Sequence, residues 1–218
     1  MTKTKHLDIG CGNTPRNPFN HDDLYGVDII SQSSNNFHYT QSNVVLDPLP
    51  FNDSTFDSVS TYDFLEHIPR FSIINNQAQF PFINFMNEAY RVLKPGGIFY
   101  AITPCYPRAE VFADPTHVNF ISHKTHTYFT MPNPGALVYG FNGKFDIIQV
   151  KRIKFSQGID KVYSQFVKII KNIVYTIFYK KNHTFYGSSK PSRTEKYLSF
   201  FIFECRQTNY YYKKNCKK

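Results

Sequence analysis

Cysteine is scarce in this chain, and none of it is paired in sequence. Cys11, Cys105, Cys205 and Cys216 are scattered and form no CxxC pair. That argues against a disulfide frame and against a zinc site, and reads as reduced thiols of an intracellular, cytoplasmic protein. No apolar run opens the sequence, so neither a signal peptide nor a membrane-spanning helix is expected. No internal repeat is visible. Acidic residues nearly vanish late in the chain: residues 1–150 carry 9 Lys and Arg against 13 Asp and Glu, and residues 151–218 carry 16 against 3. The last third therefore either meets something anionic (headgroups, a phosphorylated substrate, nucleic acid) or is a solvated basic surface with a basic tail over 208–218.

A second glycine-rich loop signal is also missing. Leu7-Asp8-Ile9-Gly10-Cys11-Gly12-Asn13 is a short buried strand from His6 to Ile9 followed at once by two glycines. Glycine there permits a sharp turn and lets a ligand approach without meeting a Cβ. A dinucleotide fingerprint needs a third glycine three residues on and a helix behind it, but that position is Pro15, and Asn13, Asn17, Pro18 and Asn20 follow. A pyrophosphate cradle is thus excluded. With Asp8 just before it, the turn suits a ligand carrying a positive group. The next strand, Leu24 to Val27, ends in Asp28, an acid placed to accept ribose hydroxyls.

Strand and helix signals alternate through residue 103, which predicts a parallel sheet with crossovers. A third strand is expected over 43–46, ending at Asp47 before Pro48 and Pro50. Leu49 to Asp57 forms a turn into a fourth strand, Ser58 to Thr61. Tyr62 to Ile68 reads as a short helix with Asp63 as its N-cap. The clearest helix spans 79–94, with Phe82, Ile83, Met86, Tyr90 and Leu93 at helical spacing. Pro95-Gly96-Gly97 ends it, and Ile98 to Ile102 is the fifth strand. Strands six and seven are expected over 143–155 and 196–206.

LDIGCGN, GVDI, the LPF…FD turn, the LEH segment and NEAYRVLKPGGIFYAITP stand in this order over residues 5–104. Together they resemble the class I S-adenosylmethionine-dependent methyltransferases. The resemblance implies a Rossmann-like α/β fold: a mostly parallel seven-stranded sheet whose last strand runs antiparallel between the fifth and sixth. It implies S-adenosyl-L-methionine as cofactor. Gly10 and Gly12 would then lie under the methionine portion, with Asp8 ordering the turn and facing the amine. Asp28 would hold the ribose, Asp47 would lie beside the adenine, and Tyr62 would flank the adenosine. The LEH segment, with His67, borders cofactor and substrate in that family. Asp114-Pro115-Thr116-His117 in the following loop resembles a branch of bacterial methyltransferases associated with glycan or other surface-polymer biosynthesis. His117 and His67 are the candidate catalytic residues, because a hydroxyl acceptor must lose its proton at or before transfer. Set against that, both histidines also fit plain packing. His123 and His126, in a short helix expected from Ser122, lack further spaced ligands, and no metal is read from the sequence.

The chain reads as a single methyltransferase domain, with core 1–155 and 195–207 and an insertion over 156–194. Within the insertion, residues 160–179 form an amphipathic helix candidate with Val162, Phe166, Ile169, Ile173 and Ile177 on one face and Lys161, Lys168 and Lys171 on the other. Two fates stay open. The helix packs on its own core or forms a homodimer, or residues 160–181 make a peripheral membrane contact. The acceptor expected first is a glycan or a lipid-linked or small-molecule hydroxyl. RNA or protein methylation and a non-catalytic scaffold of the same fold are the alternatives, and the absence of a recognised binding module argues against nucleic acid.

Overall fold

A computed structural model describes residues 3–33, 36–104, 106–156 and 197–207. The chain divides into two compact units, 1–153 with 200–218, and 154–199. Of the second unit only the strand ends 154–156 and 197–199 are described, so the helix expected over 160–179 lies outside the described residues.

In chain order the elements are β1 (Lys5–Ile9), β2 (Asp23–Asp28), β3 (His38–Gln41), β4 (Phe56–Tyr62), β5 (Ser72–Ile74), β6 (Gln77–Gln79), α1 (Pro81–Val92), β7 (Leu93–Pro104), β8 (Phe145–Ser156) and β9 (Tyr197–Gln207). Seven strands form one sheet in the order β3-β2-β1-β4-β7-β9-β8, and β5 pairs with β6 separately. Pairing is parallel from β3 through β7, and β9 runs antiparallel to β7. The chain thus winds outward from β1 in both directions. In such sheets the crevice beyond the carboxyl ends of the two strands flanking the reversal, here β1 and β4, is the place for a ligand.

The two faces of the sheet differ in chemistry because side chains alternate along a strand. His6 is paired with Ser58 and Leu7 with Val59. Leu7, Ile9, Val59, Phe99 and Ala101 are buried on the apolar face. There they share a core with Phe82, Phe85, Met86 and Ala89 of α1, whose three-and-four spacing makes one apolar stripe. Pro81 occupies the first turn of α1, where its missing N–H costs nothing. The other face carries His6, Asp8, Ser58 and Ser60, all fully buried. Phe19 and Tyr100 lie edge-on there, with ring centroids 5.9 Å apart, and Phe19 is 6.3 Å from His6.

Several expectations need correction. The third strand is not 43–46 but His38–Gln41. Residues 43–47 form a turn in which the Asn43 carbonyl accepts the N–H groups of Leu46 and Asp47. The links from β1 to β2 and from β2 to β3 contain no helix among the described residues, because the prolines and asparagines of the first link favour turns. The short helix after β4 is a 3₁₀ turn, Leu65–His67. Asp63 does not cap it: Asp63 takes a left-handed φ of 50°, and the cap position is Phe64, with no side-chain hydrogen bond. Likewise the helix expected from Ser122 is a 3₁₀ turn, Thr125–Tyr128, preceded by Lys124. The β5–β6 hairpin is an addition. Asn75 and Asn76 both have positive φ, as a two-residue hairpin turn requires.

Candidate active site

Gly10 and Gly12 leave the end of β1 with φ of 68° and 55°. The turn is fixed from below: the N–H groups of Gly10 and Cys11 both donate to the Val27 carbonyl, at 2.9 and 3.3 Å. A Cβ on Gly10 would lie 2.6 Å from Phe64 Cδ2, whereas a Cβ on Gly12 would meet nothing within 4 Å. One glycine is therefore required by the fold, and the other leaves an open face above the backbone.

Asp8 is fully buried just before the turn. Its Oδ2 accepts the Arg16 N–H at 2.8 Å, and its Oδ1 accepts the Ser60 hydroxyl at 2.6 Å. Burial pushes its carboxyl up to about 6, against the Ser60 and Arg16 hydrogen bonds. With Asp8 ionised, the single Ser60 proton goes to Asp8. Ser60 must then accept from His6 Nε2 at 2.9 Å, which leaves His6 Nδ1 to accept the Ser58 hydroxyl at 2.6 Å. Burial holds His6 down at about 4, so the ring stays neutral.

Asp28 ends β2. Its Oδ2 accepts the Gly12 N–H at 2.8 Å and its Oδ1 the Ile30 N–H at 3.2 Å. Asp28 thus clamps the glycine turn, while Asp8 holds the chain that leaves it at Arg16. Tyr62 ends β4, and its ring is covered by the Arg16 guanidinium at 4.3 Å. Burial raises its hydroxyl above the ordinary tyrosine value. Asp47, by contrast, is exposed in the turn after β3, and no hydrogen bond among the described residues ties its carboxylate to the other five.

The two histidines come together. Their ring centroids are 4.8 Å apart, edge to face. The loop bearing His117 is stapled onto the 3₁₀ turn bearing His67. Val118 and Asn119 both donate to the Glu66 carbonyl at 2.9 Å, and buried Asn119 donates to the Leu65 carbonyl at 3.1 Å. Arg70 holds the Asn119 side chain from the other side. His117 Nδ1 lies 2.9 Å from the Val111 carbonyl, an acceptor only, so Nδ1 carries the proton. His67 Nδ1 lies 2.9 Å from the Thr116 hydroxyl. That hydroxyl donates to Asp114 Oδ1 at 2.6 Å, so it accepts from His67. In the neutral form of each ring the lone pair is therefore on Nε2. Burial raises the Asp63 carboxyl above its ordinary value, against the neighbouring Arg16, His117 and His67.

Sequence reasoning missed Ser60 and Arg16, which hold Asp8, and gave Glu66 only a packing role. Glu66 is 1% exposed. Burial pushes its carboxyl up to about 7, and its Oε1 has no hydrogen-bond partner. The adjacency of Glu66 and His67 was the available signal.

An open sheet wound outward from β1, a glycine turn at the reversal and an acid at the next strand end define the class I S-adenosylmethionine-dependent methyltransferase fold. Residues 7–101 match the family model described as a methyltransferase domain, and over those residues the chain is similar to that family. S-adenosyl-L-methionine is the cofactor that goes with it. Among solved structures, the chain is similar to a Bacillus halodurans protein assigned to the methyltransferases, at 15% identity and a TM-score of 0.53, over 95% of this chain and 94% of the other. It is also similar to a Methanosarcina mazei S-adenosylmethionine-dependent methyltransferase, at 14% identity and a TM-score of 0.51, over 95% and 94% of the two chains. A Mesorhizobium loti methyltransferase of the same cofactor dependence aligns at 12% identity and a TM-score of 0.50, over 94% and 91%. No curated protein sequence matches the chain.

Proposed function

We propose that the chain transfers a methyl group from S-adenosylmethionine to a hydroxyl of a glycan or of a lipid-linked or small-molecule acceptor. Gly10 and Gly12 underlie the methionine portion, and Asp8 faces the amine while ordering the turn. Asp28 takes the ribose hydroxyls on the lone pairs its two N–H bonds leave over, Tyr62 lies along the adenosine, and Asp47 reaches the adenine edge. The acceptor oxygen attacks the methyl carbon; an O–CH₃ bond forms, the S–CH₃ bond breaks, and its electron pair stays on sulfur. Holding the two reactants in line supplies much of the rate. The acceptor proton is taken at the His67–His117 pair, whose Nε2 lone pairs are free to receive it.

The observation that carries the hydroxyl reading is that pair, with both tautomers fixed by oxygen acceptors. A cavity of about 670 Å³ supports the acceptor class. Phe71, Phe80, Tyr128 and Tyr139 line it, together with Arg70 and Lys124. Aromatic faces suit sugar rings or an isoprenoid chain, and the two cations suit a linking phosphate. Arg70 also contacts the Asn119–Phe120 segment, two residues beyond His117.

Calorimetry with S-adenosylmethionine tests the donor: no binding favours a scaffold. Transfer of labelled methyl groups to lipid-linked saccharides, with RNA and protein in parallel, tests the acceptor. Label appearing only on RNA or protein overturns the hydroxyl-glycan reading. No helix among the described residues is long and apolar enough to cross a membrane. Peripheral contact through 160–181, or a homodimer, remains a sequence-based proposal for residues outside the description.

A further inference from the structure

Glu66, His67 and His117 each offer one ligand atom, and these three atoms lie within 4.8 Å of one another. His117 Nε2 is 4.0 Å from Glu66 Oε1 and 4.0 Å from Asp114 Oδ2. Glu66 is 1% exposed, and its Oε1 is buried without a partner. A buried, unpaired carboxylate oxygen ordinarily costs free energy. The usual remedy, a neighbouring donor, is not within reach among the described residues: the nearest ring nitrogen, His117 Nε2, stands 4.0 Å away.

The outer contacts sharpen this. The second oxygen of Glu66, the second nitrogen of His117 and the Nδ1 of His67 are tied down. Glu66 Oε2 accepts the Thr103 hydroxyl at 3.0 Å. His117 Nδ1 donates to the Val111 carbonyl, and His67 Nδ1 donates to Thr116, which in turn is held by Asp114. Metal-binding histidines characteristically give their second N–H to a carbonyl or to a carboxylate relay, which fixes both tautomer and ring orientation. We propose that Glu66, His67 and His117 bind a divalent transition-metal ion through one oxygen and two nitrogens, with Asp114 on the open side.

Two imidazoles and one carboxylate suit zinc or ferrous iron more than magnesium or calcium. Ligands about 2.0–2.1 Å from a tetrahedral ion stand roughly 3.4 Å from each other. The 4.0 Å separation of Oε1 and Nε2 therefore closes by a fraction of an ångström on binding. Three protein ligands leave at least one position for a water or for the acceptor hydroxyl. The inference rests on the hydroxyl-acceptor reading and, where the ion is bound, puts the ion in place of the histidines as the group that activates the hydroxyl. The histidine lone pairs serve the ion, the bound hydroxyl is acidified, and its proton leaves to solvent on the exposed Asp114 side.

The test uses the full chain and Co²⁺ as the probe, freed of other metals beforehand. One equivalent of Co²⁺ is expected to bind, with visible absorption bands of a low-symmetry nitrogen–oxygen site. E66Q, H67A and H117A should each weaken it by more than about 100-fold, and T116V, which touches only the outer contact, by about 10-fold. Circular dichroism on each variant separates lost ligation from lost folding, and T116V, at an exposed position, keeps the test sharp if E66Q unfolds. Failure to take up Co²⁺ at equimolar concentration, or uptake unchanged in H67A, H117A and T116V, overturns the site. S-adenosylmethionine calorimetry on the metal-free protein isolates the other reading. Cofactor binding without metal uptake removes only the metal, and metal uptake without cofactor binding removes only the methyl-transfer assignment.

Discussion

Gly10→Ala is the substitution whose effect can be followed furthest. Residue 10 has a φ of 68°, and a side chain in that left-handed region costs about 1–2 kcal/mol. The new Cβ would also lie 2.6 Å from Cδ2 and 3.0 Å from Cγ of Phe64, well inside the ordinary carbon contact of about 3.5–4.0 Å. Phe64 cannot simply swing away, because its ring packs on Phe85 of α1 with centroids 5.6 Å apart. Overpacking of this kind costs about 1–3 kcal/mol. Together the two effects predict a loss of about 2–5 kcal/mol, read as a lower urea midpoint at unchanged slope. In a Phe64→Ala background the ring overlap is gone and only the Cβ of residue 64, at 3.3 Å, stays close, so the same change should cost little more than the left-handed penalty of about 1–2 kcal/mol. An equal loss in both backgrounds would refute the overlap and leave backbone strain alone. Because Phe64 leads into Leu65–His67, the single variant should also lose turnover beyond what its stability explains.

Further tests concern the acids, the hydroxyl relay and the basic segment. Asp8 titrates near 6 when folded, above its ordinary 3.8, so its contribution to cofactor-free stability is present below about pH 4 and lost as pH rises through 6. The difference is about 3 kcal/mol, measurable from urea midpoints across that window. A cationic amine selects the ionised form, so S-adenosylmethionine affinity should fall up to about tenfold per pH unit below 6; affinity flat from pH 5 to 7 refutes an Asp8–amine contact. Ser60→Ala removes a hydrogen bond that lowers the Asp8 value, and should move the midpoint of that affinity curve to higher pH. Asp28→Ala should weaken cofactor binding by more than about tenfold, since it removes both the ribose acceptor and the Gly12 clamp; Asp28→Asn, which keeps one acceptor oxygen, should lose less, and equal affinity in all three proteins removes the ribose assignment. If residues 160–181 meet membranes, the intact chain should co-sediment with anionic vesicles at low salt and not at high salt.

Four of the five parallel strands were legible because each is a short apolar run closed by a turn signal, and α1 because its apolar positions recur at helical spacing. The third strand was misplaced for a physical reason. Val44, Val45 and Leu46 carry the β-branched and apolar signal, yet His38–Gln41 makes the edge strand, since an edge needs backbone pairing more than it needs apolar side chains. The missing helix between β1 and β2 follows from the same prolines and asparagines that argued against a pyrophosphate cradle. The β5–β6 hairpin was there to read in Asn75-Asn76, a dipeptide suited to two successive positive φ values.

The site divides along a similar line. Gly10, Gly12 and Asp28 were readable because the chain itself places them at strand ends, where local pattern and fold agree. What could not be read is what their atoms are already engaged in. Asp28 holds the Gly12 N–H and Asp8 holds Ser60 and Arg16, contacts that span β1, β2 and β4 and have no signature within one segment. Glu66 shows the limit best. Beside His67 in a short turn it reads as a solvated residue, yet its carboxylate is buried against Thr103 and faces His117 from a loop docked on its backbone carbonyl. The reason to assign Glu66 a ligand is thus created by a contact some fifty residues away along the chain, between two loops that neither periodicity nor spacing relates. Burial of a charge is a tertiary event, and its chemistry becomes visible only when the partners on every side of the group are known.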